Sequence, residues 1–219
     1  FTAEIVYRKV DALLGRSETR FGRIIYQSKP EQNSKRFAIL LNQLVVGKRL
    51  EDHQKHYVFD GRWLAEIDHD EKHFIKRQII GPNESFDPLK LGEGPFPMPI
   101  GQPKREILKR FNVQRLNPPD GDGMLAKVAS EYAVKGLLLT PHANTKLAEE
   151  YDRVELLYDN STLLPVGVRV VETGGNEKLV RLAGVRRNNT LTEAQLDRLD
   201  ISEPDPDSWD IDIREWQGG

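Results

Sequence analysis

Gly15–Lys29 reads GRSETRFGRIIYQSK, and four further runs follow it: SKRFAILLNQLVV over Ser34–Val46, HYVF over His56–Phe59, RWLAEIDHD over Arg62–Asp70 and KHFIKRQII over Lys72–Ile80. The joints between them are turn signals: Lys29-Pro30-Glu31-Gln32-Asn33-Ser34, Asp60-Gly61 and Asp68-His69-Asp70-Glu71. Runs of apolar and β-branched residues bounded by such clusters predict strands. Asp-Gly between two apolar runs marks a tight hairpin, because the turn needs positive φ at its centre. The stretch predicts a meander of antiparallel strands.

The two faces of Arg36–Val46 say more than the strand count. Phe37, Ile39, Leu41 and Val45 share one parity; Ala38, Leu40, Leu44 and Val46 share the other; only Asn42 and Gln43 interrupt. A strand apolar on both faces is covered on both. It lies between a core layer and a covering element, lines a cavity, or runs through the middle of a sandwich.

Outward from this stretch, Phe1–Val10 alternates loosely, with Phe1, Ala3, Ile5 and Tyr7 in one parity, and predicts the opening strand. Lys48–Lys55 is charged and predicts a loop or a worn edge. Gly81–Gln102 holds Pro82, Pro88, Pro95, Pro97 and Pro99 with Gly92, Gly94 and Gly101, a density that no strand ladder accommodates. It also carries Phe86, Leu89, Leu91, Phe96, Met98 and Ile100, so it is expected to pack as a lid or a crossover. Pro103 suits the first position of a helix over Lys104–Phe111, with Ile107, Leu108 and Phe111 as its apolar stripe. Met124–Glu131 reads as either helix or strand, Tyr132–Thr140 as a strand, and Thr145–Tyr151 as a helical turn.

A second meander follows. Its strands are Arg153–Asp159, with Val154, Leu156 and Tyr158 on one face, Pro165–Glu172, with Val166, Val168 and Val170, and Lys178–Val185, with Val180 and Leu182 inward. Thr190-Leu191-Thr192-Glu193 fits a capping box with Thr190 as cap and Glu193 reaching back. Trp209, Ile211 and Ile213 alternate with charged residues and predict a closing strand. The expected fold is mainly β with helices: a curved, unclosed antiparallel sheet (a half-barrel) covered by short helices and the proline-rich segment. Residues 1–219 are expected to form a single domain, with 81–123 as an internal proline-rich crossover carrying a short helix.

Composition narrows the function. With 32 Lys and Arg against 34 Asp and Glu, the charge is near balance and argues against a nucleic-acid binder. There is no cysteine, which removes disulfides, thiol catalysis and cysteine-based metal sites. No stretch is long and apolar enough to span a membrane as a helix. No signal peptide is present, and the chain opens directly in a strand-like run, which leaves room for a processed leader.

Several short motifs, in order, resemble one family. Tyr57-Val58-Phe59-Asp60-Gly61-Arg62-Trp63-Leu64 resembles its most recognisable hairpin, Leu139-Thr140-Pro141 the end of a later strand, and Leu163-Leu164-Pro165 the turn feeding the next. Asn188 or Asn189, followed by Leu191 and Leu196, resembles its asparagine-containing segment, and Trp209-Asp210-Ile211 the start of its terminal strand. The chain thus resembles the bacterial outer-membrane lipoprotein carrier family, with its LolA/LolB-like fold, as a divergent secreted member. It departs from the family in lacking the usual preceding helix, in lacking proline and tryptophan around Lys35-Arg36-Phe37, and in its basic, proline-rich Pro88–Phe111. The resemblance implies no enzyme activity and no catalytic residue. It implies a periplasmic or otherwise secreted protein of the cell envelope that binds or carries a lipid, an acyl chain or a lipoprotein. A monomer is expected, with an envelope protein as a second kind of partner.

An acyl-chain carrier needs a concave apolar wall, because transfer free energy scales with buried apolar area at roughly 25 cal/mol per Å2. The candidate wall residues are Phe37, Ile39, Leu41, Trp63, Val154, Leu156, Val168 and Val170; the candidate lid residues are Phe96, Met98, Ile107, Leu108 and Phe111; Arg36 is the candidate polar gate. Each of the apolar positions also suits plain core. No cofactor and no metal is expected. His69 and His73 are four apart, a spacing that joins ligands on a helix and not on a strand, and His53 and His56 add only a loose cluster. The acidic run from Asp200 to Asp212 reads as solvated surface. The alternative to a carrier is an interaction or scaffold module of the same fold with a packed interior; an enzyme would need a polar cluster inside the cavity.

Overall fold

Two runs of consecutive antiparallel strands meet along a seam between the first strand and the eleventh. The computed structural model describes residues 1–29, 31, 34–81, 89, 91, 96–98, 102–119, 121 and 123–216. The first run is β1 (Thr2–Asp11), β2 (Arg16–Lys29), β3 (Ser34–Val46), β4 (Arg49–Phe59), β5 (Trp63–Asp68) and β6 (His73–Gln78). Helix α1 (Lys104–Leu108) leads to β7 (Phe111–Leu116), α2 (Met124–Glu131), β8 (Val134–Pro141) and α3 (Lys146–Glu150). Then come β9 (Tyr151–Asp159), β10 (Pro165–Glu172), β11 (Glu177–Arg186), α4 (Glu193–Asp197) and β12 (Asp210–Arg214). The strands form one unclosed sheet in the order β12-β6-β5-β4-β3-β2-β1-β11-β10-β9-β8-β7. This is the expected curved open sheet with short helices against it. Every pairing is antiparallel except the last, where β12 runs parallel to β6 with Ile211 opposite Phe74. Among the described residues no helix is long and apolar enough to cross a membrane.

The main core lies on one face, the inner face. It takes Ala3, Ile5 and Tyr7 from β1, Phe37, Ile39 and Leu41 from β3, Val154 and Leu156 from β9, and Val168 and Val170 from β10. Leu89, Leu91, Phe96 and Met98, from between β6 and α1, are fully buried against it. These described residues of the proline-rich segment therefore pack on the inner face. Pro82, Phe86, Pro88, Gly92, Gly94, Pro95, Pro99, Ile100 and Gly101 lie outside the described residues.

The longer helix takes the opposite face. Leu125 and Val128 of α2 pack on Leu157 and Val166. A Cβ at Gly167 would stand 2.9 Å from Leu125 Cδ2, so the glycine lets α2 sit close to the sheet. On the same outer face, Leu191, Leu196, Leu199 and Ile201 cover Ile25, Ala38 and Val58. This explains why β3 is apolar on both sides: Phe37, Ile39 and Leu41 serve the inner core, Ala38 and Leu40 the outer one.

Several expectations are corrected. Lys48–Lys55 lies almost wholly in β4, because its backbone pairs with β3 from Val46↔Arg49 to Gln43↔Asp52 while Arg49, Glu51 and Asp52 keep their side chains in solvent. The helix expected to reach Phe111 ends at Leu108; Phe111 opens β7 and pairs with Pro141, so ladder formation takes the residues that helical spacing suggested. Met124–Glu131 is helical. The capping box is two residues later, Thr192 with Gln195 in place of Thr190 with Glu193. Among the register shifts, two change the faces expected from simple alternation. One at Asn42 puts Leu44 opposite Arg20, and one at Val166 turns that side chain to α2, away from Val168 and Val170.

Candidate functional site

The inner face forms a continuous apolar surface from β4 across the seam to β7. Its registers align Tyr26 with Phe37 and Phe37 with Phe59 in the first meander, and Val168 with Leu156 in the second. Phe96 is the wedge over its middle: its ring stands 5.0 Å from that of Tyr7 and 4.8 Å from that of Tyr57, edge-on to the latter. Leu91 is tied from α1's end, where Arg110 Nη1 donates to its carbonyl at 2.8 Å. Beneath, a cavity of about 10 Å3 is lined by Leu91, Pro97, Phe111, Tyr151, Val154, Val170 and Lys178. That is room for about one water molecule. An acyl chain enters only if the covering side chains give way.

One end of this face is polar. Continuing the alternation of β1 past Tyr7 brings Lys9 onto the inner face, directly opposite Lys178 on β11 and Glu18 on β2. Arg20, Lys55 and Glu66 join them on neighbouring strands. Glu18 is engaged by Arg20, Glu66 by Lys55 at 2.6 Å, and Glu172 by Lys178 at 2.6 Å. Lys9 Nζ lies 5.7 Å from the Tyr7 ring centre and Lys55 Nζ 6.0 Å from that of Tyr57. Burial pushes the Tyr7 and Tyr57 hydroxyls well above the ordinary phenol value, so both stay neutral donors. Sequence reading missed this belt, although the parity of Ala3, Ile5 and Tyr7 pointed to Lys9.

The structure brings most of the sequence-named residues together and separates three. Phe37, Ile39, Leu41, Phe96, Met98, Phe111, Val154, Leu156, Val168 and Val170 share the inner core, and Ile107 packs at its margin. Leu108 is 45% exposed and points away from that core. Trp63 is on the outer face, because Leu64 and Glu66 hold the inner parity of β5; Lys76 Nζ stands 4.9 Å above its ring. Arg36 likewise faces outward and bonds Asp200 at 2.7 Å, so it ties down the C-terminal arm and gates nothing on the inner face. Asp200 is thereby an ion-pair partner, as is Glu203, which accepts from Lys76 at 2.6 Å.

Two other features compete as sites. His53, Asp68 and Asp70 bring ligand atoms within 4.8 Å of one another. However, Arg20 Nη1 lies 3.0 Å from His53 Nδ1, Lys55 Nζ lies 3.7 Å from Asp68, and the Gln54 amide donates to Asp70 at 2.6 Å. Two resident cations make this an ion-pair network and disfavour a metal ion there. On the outer face a depression of about 510 Å3 is floored by Val6 and Phe21 and rimmed by Glu4, Arg23, Gln43, Asp52 and Gln54. Its rim carries both charge signs and selects no ligand class.

His56 and His69 form a neutral pair. Asn42 Oδ1 lies 3.3 Å from His56 Nε2, and His56 Nδ1 lies 3.0 Å from His69 Nε2. That geometry is satisfied when both rings carry their proton on Nε2, which leaves His56 Nδ1 as acceptor. Trp209 meets His69 edge-on at 5.6 Å. Burial, and then the neighbouring His69 and Arg198, push the His56 pKa down to about 4 from its ordinary 6.5. The unfolded chain therefore binds a proton first on acidification. Stability is complete above pH 6.5 and is lost progressively towards pH 4. Between pH 7.5 and pH 5 His56 is expected to cost about 2 kcal/mol. Urea midpoints at the two pH values check this; a His56→Gln variant with the same pH loss as the wild type would refute it. Among the described residues, the hydrogen-bond partners of the histidine ring nitrogens are Arg20, Asn42, the His56–His69 pair itself and the Leu108 carbonyl, not a serine or threonine hydroxyl.

No family model matches the sequence, and neither does any curated protein. Solved structures follow a similar chain path at low identity. MucB matches at 14% identity and a TM-score of 0.47, over 92% of this chain and 56% of that one. An uncharacterized conserved protein from Thermus thermophilus matches at 12% and 0.47, over 97% and 90%. A LolA superfamily protein from Nitrosomonas europaea matches at 10% and 0.31, over 84% and 83%. The chain spans little more than half the length of the MucB chain. These likenesses carry no argument about what the chain binds.

Proposed function

We propose that this protein is a non-enzymatic binder or carrier of a lipid, an acyl chain or a lipoprotein in the bacterial cell envelope. One observation supports the reading above the rest. An apolar face shared by both meanders is covered at its centre by Leu89, Leu91, Phe96 and Met98, none of which belongs to a helix or strand. Apolar side chains held this way are the cheapest to displace, because they carry few backbone ladder bonds. A chain sliding beneath them exchanges one apolar contact for another. The surface it needs is already there.

Native mass spectrometry of the purified protein, paired with organic extraction and lipid analysis, tests this. A stoichiometric acylated or isoprenoid species is expected. A clean apo mass, unchanged after incubation with envelope lipids, would refute the carrier and leave a packed interaction module of the same fold.

A further inference from the structure

The polar end of the inner face holds an unmatched cation. Lys9 and Lys178 are direct cross-strand partners, and like charges so placed repel. Lys178 is offset by Glu172 and Lys55 by Glu66, while Glu18, the neighbour of Lys9 on β2, is engaged by Arg20. Among the described residues Lys9 has no anionic partner within ion-pair distance. It is solvent-exposed, so a ligand reaches it, yet enough protein surrounds its ammonium that burial lowers its pKa; Glu18 opposes that shift, and Lys178 and Lys55 add to it. Its Nζ stands 5.7 Å from the centre of the Tyr7 ring, which also meets Phe96. The unmatched charge thus lies at the mouth of the place where the covering side chains meet the sheet.

We propose that Lys9 receives the acidic head group, a carboxylate or a phosphate, of an amphiphile whose acyl chain takes the place of Phe96 against Tyr7 and Tyr57. An anion there relieves the Lys9–Lys178 repulsion and gains a charge-assisted hydrogen bond. The chain contributes apolar burial along the inner face. A cationic head group would add to the repulsion, and a neutral one would leave it in place. The inference rests on the inner face being the binding surface, and it adds the ligand's charge and orientation.

Calorimetric titration of the full chain with dodecyl phosphate, dodecyl maltoside and dodecyltrimethylammonium, each below its micelle concentration, tests this, with inorganic phosphate as a fourth ligand. Dodecyl phosphate is expected to bind about tenfold tighter than either other amphiphile. Lys9→Gln should bring that ratio to about one, and Lys9→Arg should restore it. Equal affinities for the three amphiphiles would overturn the head-group assignment and leave the apolar surface standing. A preference that survives Lys9→Gln would place the head group at another cation. Inorganic phosphate binding as tightly as dodecyl phosphate would make Lys9 a free-anion site. Failure of all three amphiphiles to bind would remove the binding surface itself, and this inference with it.

Discussion

Gly22→Ala is expected to lower unfolding free energy by about 3 kcal/mol or more, the range of severe backbone clashes. A Cβ at Gly22 would lie 1.9 Å from the Leu40 carbonyl oxygen and 2.8 Å from Leu41 Cα. Both are backbone atoms of the facing strand, so no rotamer change relieves the contact. The site also sets register. The bulge here lets Gly22 face Leu41 and Arg20 face Leu44, and the polar end of the inner face lies beyond it. Opening β2 from β3 would therefore loosen the strand that carries Glu18 and Arg20. Gly123→Ala is the control, since nothing lies within 4 Å of its added Cβ; as the N-cap of α2 it should cost no more than about 1 kcal/mol. Urea unfolding of both variants decides the matter. A Gly22→Ala protein as stable as the control would mean that β2 and β3 are not packed as described.

Phe96→Ala separates a covering segment from a fixed core. Ile39→Ala, in the middle of β3 and fully buried, should cost about 2–5 kcal/mol of global stability, as core truncations do. Phe96 is equally buried, and as ordinary core its loss would cost as much. If the covering residues open independently of the sheet, the loss falls on the closed state of that segment alone. The urea midpoint then barely moves. Dodecyl maltoside binds about tenfold tighter, because closure competes less with the ligand. A Phe96→Ala variant destabilised like Ile39→Ala, with unchanged affinity, would make the inner face a permanently packed interior and favour the interaction module.

Most strands, their turns and the two-meander plan were legible in the sequence because they are local; the N-terminal half of β4 and β7 were not. Period-2 alternation bounded by Asp60-Gly61 or Gly174-Gly175 is set within a few residues, and the structure shows hairpins at both. The double-sided apolar character of β3 correctly announced cover on both faces. The same locality explains the errors. Alternation carried through Asn42 and Val166 assumes a continuous pleat, and a bulge inserts one residue that no composition signal marks. Trp63 and Arg36 look like site residues in one dimension, yet a strand offers two faces, and pairing across β4–β5 and with Asp200 decides which face each one takes.

By itself the sequence determined a sheet of many short antiparallel strands, an apolar proline-rich segment able to pack, and the exclusion of thiol and cysteine-metal chemistry. Only the tertiary structure decided that β1 joins β11, that Leu89, Leu91, Phe96 and Met98 take the inner face while α2 and the C-terminal arm take the outer, and that Lys9 is unmatched among the described residues. The physical reason is range. Hydrogen-bonded turns and side-chain alternation act between near neighbours, whereas the seam pairs Lys9 with Lys178 and the covering contacts bring Phe96 onto Tyr7, residues far apart in the chain but adjacent in the fold.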